Sequence, residues 1–383
     1  MKSQILPFSI TIHAFMADRK RKIHKPVISM GVELETYSIA IPENRICREL
    51  QFPKRSIIEK GERFIRDWSI GSEYNSKVFT TIREAFFLLK SGLRKYTKFR
   101  QPNGTDGQHV IFPVGGWIDR FAGSHVHLAK GSHRLRYEEA KELAYYLHDH
   151  IPFLIALSAN SPVWREKITP HASNRLIRGS DKYCRATKRG ILYKHRFREL
   201  TFNLGGKKKP PTLELRVCDS SVPEYIVAVL CICHAVALKW AKRKPLLNKS
   251  THINYLKARE QAVRLGPKAR LVWTNHRLSV SDYVDLFFRK YEEELDQMDI
   301  PDEILSIFKY LKKGWNQAEI IRKAAEYCRR RHSPTWQRQF AKRYRVAIEE
   351  LLDGNSFVRF AQRLNVKLPN IERTWLGRRE ANW

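Results

Sequence analysis

Three short stretches of this chain place chemically capable side chains at strand spacing. Glu33 and Glu35 lie two apart, as do His125 and His127, and as do Glu214 and Arg216. In an extended segment residues i and i+2 project from one side, so each pair shares a face. Asp67-Trp-Ser-Ile-Gly-Ser-Glu73 adds two acids in a turn-rich setting. Carboxylates joined by one or two imidazoles suit Mg²⁺ or Mn²⁺ holding phosphates, because hard cations prefer oxygen ligands. An Arg beside such a set suits a phosphoryl group in transfer, where positioning and charge neutralisation dominate catalysis. Each pair alone also has a plainer reading. Two Glu can line a solvated strand face, a His-x-His can be structural, and a Glu–Arg pair can be an exposed ion pair worth little.

The elements that must carry these residues are legible from periodicity. Val27 to Ile41 alternates as a strand, with Val32 and Leu34 on one face and Glu33 and Glu35 on the other. Ser124 to Leu128 and Thr212 to Cys218 alternate in the same way. Helical spacing marks Arg83 to Tyr96, and Tyr137 to Ser158 with a break near Pro152. Glycine clusters at Gly104 to Gly107 and at Gly115-Gly116 mark turns. Val222 to Trp240 is apolar but contains Glu224 and His234, and reads as a buried helix from about Pro223 to Lys239 rather than a membrane span. Beyond residue 241 strand-like alternation disappears. Amphipathic segments recur at Ser281–Glu294, Ile304–Lys312, Gln317–Arg330, Trp336–Leu352 and Ser356–Leu364.

Composition bounds the class. The 383 residues are 43% hydrophobic and 29% charged, enough apolar material to exclude disorder as the main state. Lys and Arg number 71 against 39 Asp and Glu, a net charge of +32. Residues 241–383 hold 30 of the basic and 17 of the acidic residues, so they carry +13 and the first 240 carry +19. Basic runs occur at Arg19–Lys22, Lys207–Lys209, Lys242–Lys244 and Arg329–Arg331, with Trp240, Tyr327 and Trp336 near some of them. Such runs are either solvated faces or a surface for a polyanionic partner, a nucleic acid or an acidic protein. Six scattered cysteines, with only Cys231-Ile-Cys233 close together, fit buried thiols in a reducing compartment rather than a disulfide framework or a zinc knuckle. The stretch Ile5 to Met16 is interrupted by Pro7, Ser9, Thr11 and His13 and makes a poor signal peptide, so a cytoplasmic chain without membrane attachment is expected.

Gly31-Val-Glu-Leu-Glu35, Gly123-Ser-His-Val-His127, Ala156-Leu-Ser-Ala-Asn-Ser-Pro162 and Pro211-Thr-Leu-Glu-Leu-Arg-Val-Cys-Asp219 occur in that order. Together they resemble glutamate–cysteine ligase family 2, the carboxylate–amine ligases of the glutamine synthetase-like superfamily, over residues 27–240. The resemblance implies an α+β fold: a curved antiparallel sheet forming a funnel, with flanking helices. It implies ATP and Mg²⁺ (or Mn²⁺) as cofactors, and small-molecule carboxylate and amine substrates joined through an acyl phosphate. It further implies that Glu33 and Glu35 divide between two metal sites. Glu73 completes one of these sites, and His125 and Glu214 complete the other with Glu33. His127 and Arg216 face the ATP phosphates and the acyl-phosphate transition state. Asn160, Ser173 and Arg175 fall where relatives bind the acid substrate's carboxylate. On the residues alone, Ser173 and Arg175 are also readable as loop residues and Asn160 as a helix C-cap.

After Pro162, relatives that bind glutamate continue with a Gly and an Asp-Thr-Gly-like run, where this chain reads Val163-Trp-Arg-Glu-Lys-Ile-Thr-Pro-His171. The acid and amine therefore stay open. The expected organisation is a basic lead-in over 1–26, a ligase domain over 27–240, and a mostly helical, basic region over 241–383. The competing class is a non-catalytic binding module for nucleic acid or acidic protein built on the same fold.

Overall fold

Strand β1 (Ile28–Ala40) sets the architecture. Ile28, Met30, Val32 and Leu34 are buried, while Gly31, Glu33 and Glu35 between them remain partly accessible. One face of the strand must therefore be covered by apolar structure and the other left open. In the computed structural model, which describes residues 27–47, 53, 55–67, 70–97, 109–131, 134–179, 182, 184–194, 197–206 and 209–377, this is the arrangement found.

β1 is the longest strand of an eight-stranded antiparallel sheet. The other strands are β2 (Arg45–Ile46), β3 (Arg63–Asp67), β4 (Gly71–Asn75), β5 (His109–Phe112), β6 (Gly123–Lys130), β9 (Leu200–Asn203) and β10 (Thr212–Asp219). The order is β3-β4-β1-β6-β10-β9, with β2 and β5 pairing the C-terminal end of β1. Between β6 and β9 in sequence lies a small hairpin, β7 (Val163–Trp164) with β8 (Lys167–Ile168).

Helices cover one face of the sheet. They are α1 (Ile82–Thr97), α2 (Tyr137–Leu147), α3 (Ile151–Ser158) and α5 (Pro223–Ala241), whereas the short α4 (Asn174–Arg178) packs on the helix at His252–Leu265. A turn of 3₁₀ helix, His148–His150, separates α2 from α3, which places the expected break just ahead of Pro152. α5 is long and apolar enough to cross a membrane by length and composition, but 94% of that stretch is buried, as expected of a core helix. It packs on α1, α2 and α3 and touches β1 and β6. Its one acid in the first turn, Glu224, is buried and paired with Lys90 at 2.9 Å. All six cysteines are buried.

The remaining helices are α6 (His252–Leu265), α7 (Val280–Lys290), α8 (Glu292–Asp296), α9 (Asp302–Lys312), α10 (Gln317–His332), α11 (Trp336–Leu352) and α12 (Phe357–Arg363). Each expected amphipathic segment is helical. Strand structure does not stop at residue 241, however: β11 (Arg270–Trp273) and β12 (His276–Ser279) form a hairpin. Thr274 and Asn275 make its turn with φ of 45° and 71°, the backbone of a two-residue hairpin loop. The Gly104–Gly107 turn and the lead-in over 1–26 lie outside the described residues.

One hydrophobic cluster runs from Ile28 to Val366, so the sheet and the later helices share a core. His150 shows the join. Its Nδ1 lies 2.8 Å from Tyr283 Oη and its Nε2 2.9 Å from Tyr291 Oη, both from the later region. Burial pushes His150 down to about 4, with the charge of Asp149 opposing, and burial takes His234 on α5 down to about 4 as well. Both imidazoles are neutral in the fold and would charge in the unfolded chain near pH 6.5. Their contribution is therefore complete above pH 6.5 and lost as the pH falls towards 4. Unfolding free energy should drop over that window, by roughly 2–3 kcal/mol for each histidine. His150→Gln should flatten the drop in denaturant melts between pH 7 and 4; an equally steep profile would contradict this account.

Candidate active site

The open face of the sheet gathers the chemically capable residues in transverse rows. In the first row Arg63 pairs with Asn75, Asn75 with Glu33, and Glu33 with His125. In the second, Glu73 pairs with Glu35, whose Oε2 accepts the Gly123 amide at 2.5 Å. In the third, Gly31 pairs with His127 and His127 with Glu214. Directly opposed residues in an antiparallel pair share a face, so register alone brings these groups together.

Strand β10 contains a bulge. Leu215 pairs with Val126 and Cys218 with Ser124, so Arg216 and Val217 together oppose His125. The extra residue puts Asp219, opposite Gly123, on the same face as Glu214 and Arg216. Unbroken alternation would give that place to Cys218. Bulges of this kind re-aim side chains next to active sites.

These groups front a chamber of about 610 Å³ lined by Glu33, Glu35, Arg63, Glu73, His125, Asn203, Gly205, Gly206, Lys209, Glu214 and Arg216. His125 Nδ1 lies 3.7 Å from Glu33 and 3.6 Å from Glu214. Asn203 donates to Glu214 at 3.0 Å, and Asn75 to Glu73 at 2.5 Å. Arg216 is paired with Glu214 and lies 3.4 Å from His125 Nδ1. Lys209 reaches Glu33 at 3.3 Å and Asn75 at 3.2 Å.

The carboxylates are held in different states by their neighbours. Burial works against ionisation of Glu33, but the imidazoles of His125 and His127, each with a ring nitrogen 3.7 Å from it, outweigh burial and hold the carboxyl far below the usual range. Burial also opposes Glu214, which His125, His127 and Arg216 bring down. Glu73 is raised, mainly by burial; Asn75 offsets this in part, and the charges of Glu33 and Glu35 add to it.

Glu33, His127 and Glu214 offer ligand atoms within 4.8 Å of one another. The His127 Nδ1 is engaged by Thr212 Oγ1 at 2.9 Å, which fixes the ring. Its Nε2 and the Arg216 Nε are buried with no hydrogen-bond partner among the described residues. An oxygen-rich set with an imidazole nitrogen lacking a partner fits a divalent cation of the Mg²⁺ or Mn²⁺ type. His127 thus joins Glu33 and Glu214 as a candidate ligand, beside His125, the imidazole that the sequence reading placed with these two acids.

Next to the chamber, and sharing Glu33, Arg63, Asn203, Gly205 and Lys209 with it, is a more apolar cavity of about 710 Å³. Met30, Val32, Val78, Ala129 and Pro210 form part of its wall. Arg63 and Lys209 therefore stand between an acidic space and an apolar one. Sequence reasoning missed both, and Asn203 as well. Lys209 closes a basic run that is readable as a solvated face or as a surface for a polyanion, and Arg63 lies in Arg63-Phe-Ile-Arg-Asp67, a segment too short and irregular to mark a strand. Asp67 ends β3 and does not line the chamber.

Asn160, Ser173 and Arg175 come together, but not at the chamber. All three are buried around Asp219, which the sequence reading did not single out. Asp219 accepts from the Asn160 amide at 2.8 Å, Ser161 Oγ at 2.7 Å and Ser173 Oγ at 3.0 Å. Ser173 also caps α4, accepting from Leu176 N, so it is a helix N-cap rather than a loop residue. Asn160 Nδ2 is spent on the carbonyls of Pro113 and Ser220. All three residues are hydrogen-bonded within the protein, while Asn160 Oδ1 and Arg175 Nη1 are buried with no hydrogen-bond partner among the described residues.

The donor set predicts divalent binding in the full chain. Mn²⁺ titration followed by electron paramagnetic resonance should show a bound ion, with affinity lowered at least about 10-fold in Glu33→Gln and in Glu214→Gln. Unchanged binding in both variants would contradict the assignment.

No family model matches the chain. Two proteins of Legionella pneumophila, from strains Corby and Lens, carry the names glutamate–cysteine ligase 2-2 and 2-1 as inferred assignments. Each is 24% identical to this chain over 231 residues, covering 54% of it and 60% of the relative. The chain thus spans about 60% of the length of the curated relatives it matches. Among solved structures, the ligase PafA in complex with the prokaryotic ubiquitin-like protein Pup has a TM-score of 0.54 at 12% identity, covering 90% of this chain and 82% of that one. A bifunctional glutathione synthetase from Pasteurella multocida has a TM-score of 0.53 at 11% identity, covering 88% and 55%. The glutamate–cysteine ligase of Francisella tularensis, solved with AMP, has a TM-score of 0.50 at 12% identity, covering 89% and 92%. The mixed α/β fold with its antiparallel sheet is shared with these ligases. In sequence and in fold, the chain resembles the carboxylate–amine ligases of the glutamate–cysteine ligase group.

Proposed function

We propose that the chain is an ATP- and Mg²⁺-dependent carboxylate–amine ligase. The observation that carries this reading is the convergence of Glu33, Glu35, Glu73, His125, His127, Glu214 and Arg216 on one sheet face, six of them lining one chamber and His127 the cavity next to it. The names of the similar proteins support it: all are ligases, and one was solved with AMP. The curved funnel of the glutamine synthetase-like type belongs to the same proposal.

In this reading the apolar cavity takes the base and sugar of ATP, and the phosphates extend between Lys209 and Arg63 into the acidic chamber. Glu33, His127 and Glu214 would hold one divalent ion, and Glu35 with Glu73 a second. The ions supply charge neutralisation between phosphate oxygens and carboxylates that would otherwise repel. A carboxylate oxygen of the acid substrate attacks the γ-phosphorus, and the bond to ADP breaks. Arg216 faces the charge that develops on the transferring group. An amine nitrogen then attacks the acyl carbon, inorganic phosphate leaves, and the amine loses its proton as the amide forms. Exclusion of water from the loaded site would limit hydrolysis of the acyl phosphate. The hairpin β7–β8 occupies the sequence position where glutamate-binding relatives carry a Gly and an Asp-Thr-Gly-like run, so an acid other than glutamate is the first alternative to test.

The decisive assay is release of ADP and phosphate by the full chain with Mg²⁺, screened over acids and amines singly and in pairs, peptides with free carboxylates included. Turnover should require an acid–amine pair and Mg²⁺. It should fall about 100- to 1,000-fold in Arg216→Met, the cost of removing a donor aimed at transition-state charge. Absence of turnover with every pair, or full activity in Glu33→Ala, would overturn the ligase reading. Salt-sensitive binding of nucleic acid without turnover would favour the non-catalytic module instead.

A further inference from the structure

Given the ligase reading above, on which this step rests, we infer that Arg175 is a positioning residue that holds Arg216 in place through the bulge of β10. A bulge takes its backbone out of the regular ladder, so the groups there need partners from elsewhere. The Arg216 amide donates to Glu199 O at 2.9 Å, and the Arg216 carbonyl accepts from Arg175 Nη2 at 3.0 Å. The amide of Arg216, which reaches Glu214 and His125, is thus held by the residue that precedes β9, and its carbonyl is held by Arg175 from outside the sheet.

The seat of Arg175 is built for this task. The side chain is buried, and its guanidinium lies against Gly123, where an added Cβ would sit 2.5 Å from Nη2. Any residue other than glycine at 123 would displace the guanidinium. Asp219 supplies the counter-charge, its Oδ1 lying 3.9 Å from Nη1. Burial raises Asp219, while Arg175, the Asn160 amide, Ser161 and Ser173 work to keep it ionised. Ser173 connects the ends of this arrangement, because it donates to Asp219 and caps the helix that carries Arg175.

The geometry separates this role from direct binding of the acid substrate. Arg175 is absent from the chamber lining, whereas Arg216 is part of it. A residue that acts through another must lose its effect when that other is removed, and a double-variant cycle reads this directly.

The experiment uses full-length wild type, Arg175→Met, Arg175→Lys, Arg216→Met and the Arg175→Met/Arg216→Met double variant. The first readout needs no activity: hydrogen exchange over residues 212–219 by mass spectrometry. Arg175→Met should speed exchange there at least about 10-fold, and Arg175→Lys, which keeps one donor for the carbonyl, should fall between it and wild type. The second readout is kinetic. Arg175→Met should lower kcat by about 10- to 100-fold with the acid's KM within about 3-fold of wild type, and the double variant should be no slower than Arg216→Met. Where Arg175→Met fails to fold, Arg175→Lys carries both readouts. Unchanged exchange, additive losses in the double variant, or a raised acid KM at constant kcat would each overturn the inference. Wild type without turnover on any pair would instead sink the ligase reading, and the exchange comparison would decide the role of Arg175 by itself.

Discussion

The carboxylates of Glu33, Glu35, Glu73 and Glu214 leave the same face of one sheet, and their mutual repulsion is the condition the surrounding structure answers. Ligand oxygens of Glu33 and Glu214 lie within 4.8 Å of each other. At that distance two like charges repel by about 3–4 kcal/mol in a partly buried setting. Imidazoles from β6, the Arg216 guanidinium and the Lys209 ammonium all stand among the acids, and the fold devotes four strands to bringing them there. An acidic cluster with so many cationic neighbours in a chain of net charge +32 is a local inversion of the protein's field. That inversion suits polyanions held by cations, where the acids bind the cations and the basic surroundings draw in the anion.

The opposite face of the sheet makes this affordable. Apolar residues alternate with the acids along β1, and α5, with nearly every residue buried, provides the mass against which that face packs. Because the later helices join the same core, the sheet is stiffened from outside its own half, with His150 and its two tyrosines as one visible tie. Rigid strands are better than loops for holding charged groups close, since groups free to move would separate.

Much of this is readable from sequence where one strand carries two kinds of residue in alternation. β1, β6 and β10 announced themselves in that way, and with them Glu33, Glu35, His125, His127, Glu214 and Arg216. What failed to appear depended on departures from alternation. The bulge at Arg216 and Val217 has no sequence signature, so nothing in the alternation of Thr212 to Cys218 pointed to Asp219 or to its partners Asn160, Ser173 and Arg175. β9 is four residues long and β11–β12 turns on Thr274-Asn275 without a glycine, so neither had a pattern long enough or a turn distinctive enough to register. Lys209 was hidden by its company in a lysine run, because composition cannot tell which one of several like residues a turn will point inward.

The transverse rows across the sheet also limit how such a protein can change over time. Each row is assembled from strands distant in sequence, and losing or gaining one residue inside any of them would move every later side chain of that strand to the wrong face. Length variation is thus confined to the connections, while the rows themselves can change only by substitution. New specificity in this architecture would come from the rim, where segments can lengthen freely, above a floor whose spacing is fixed.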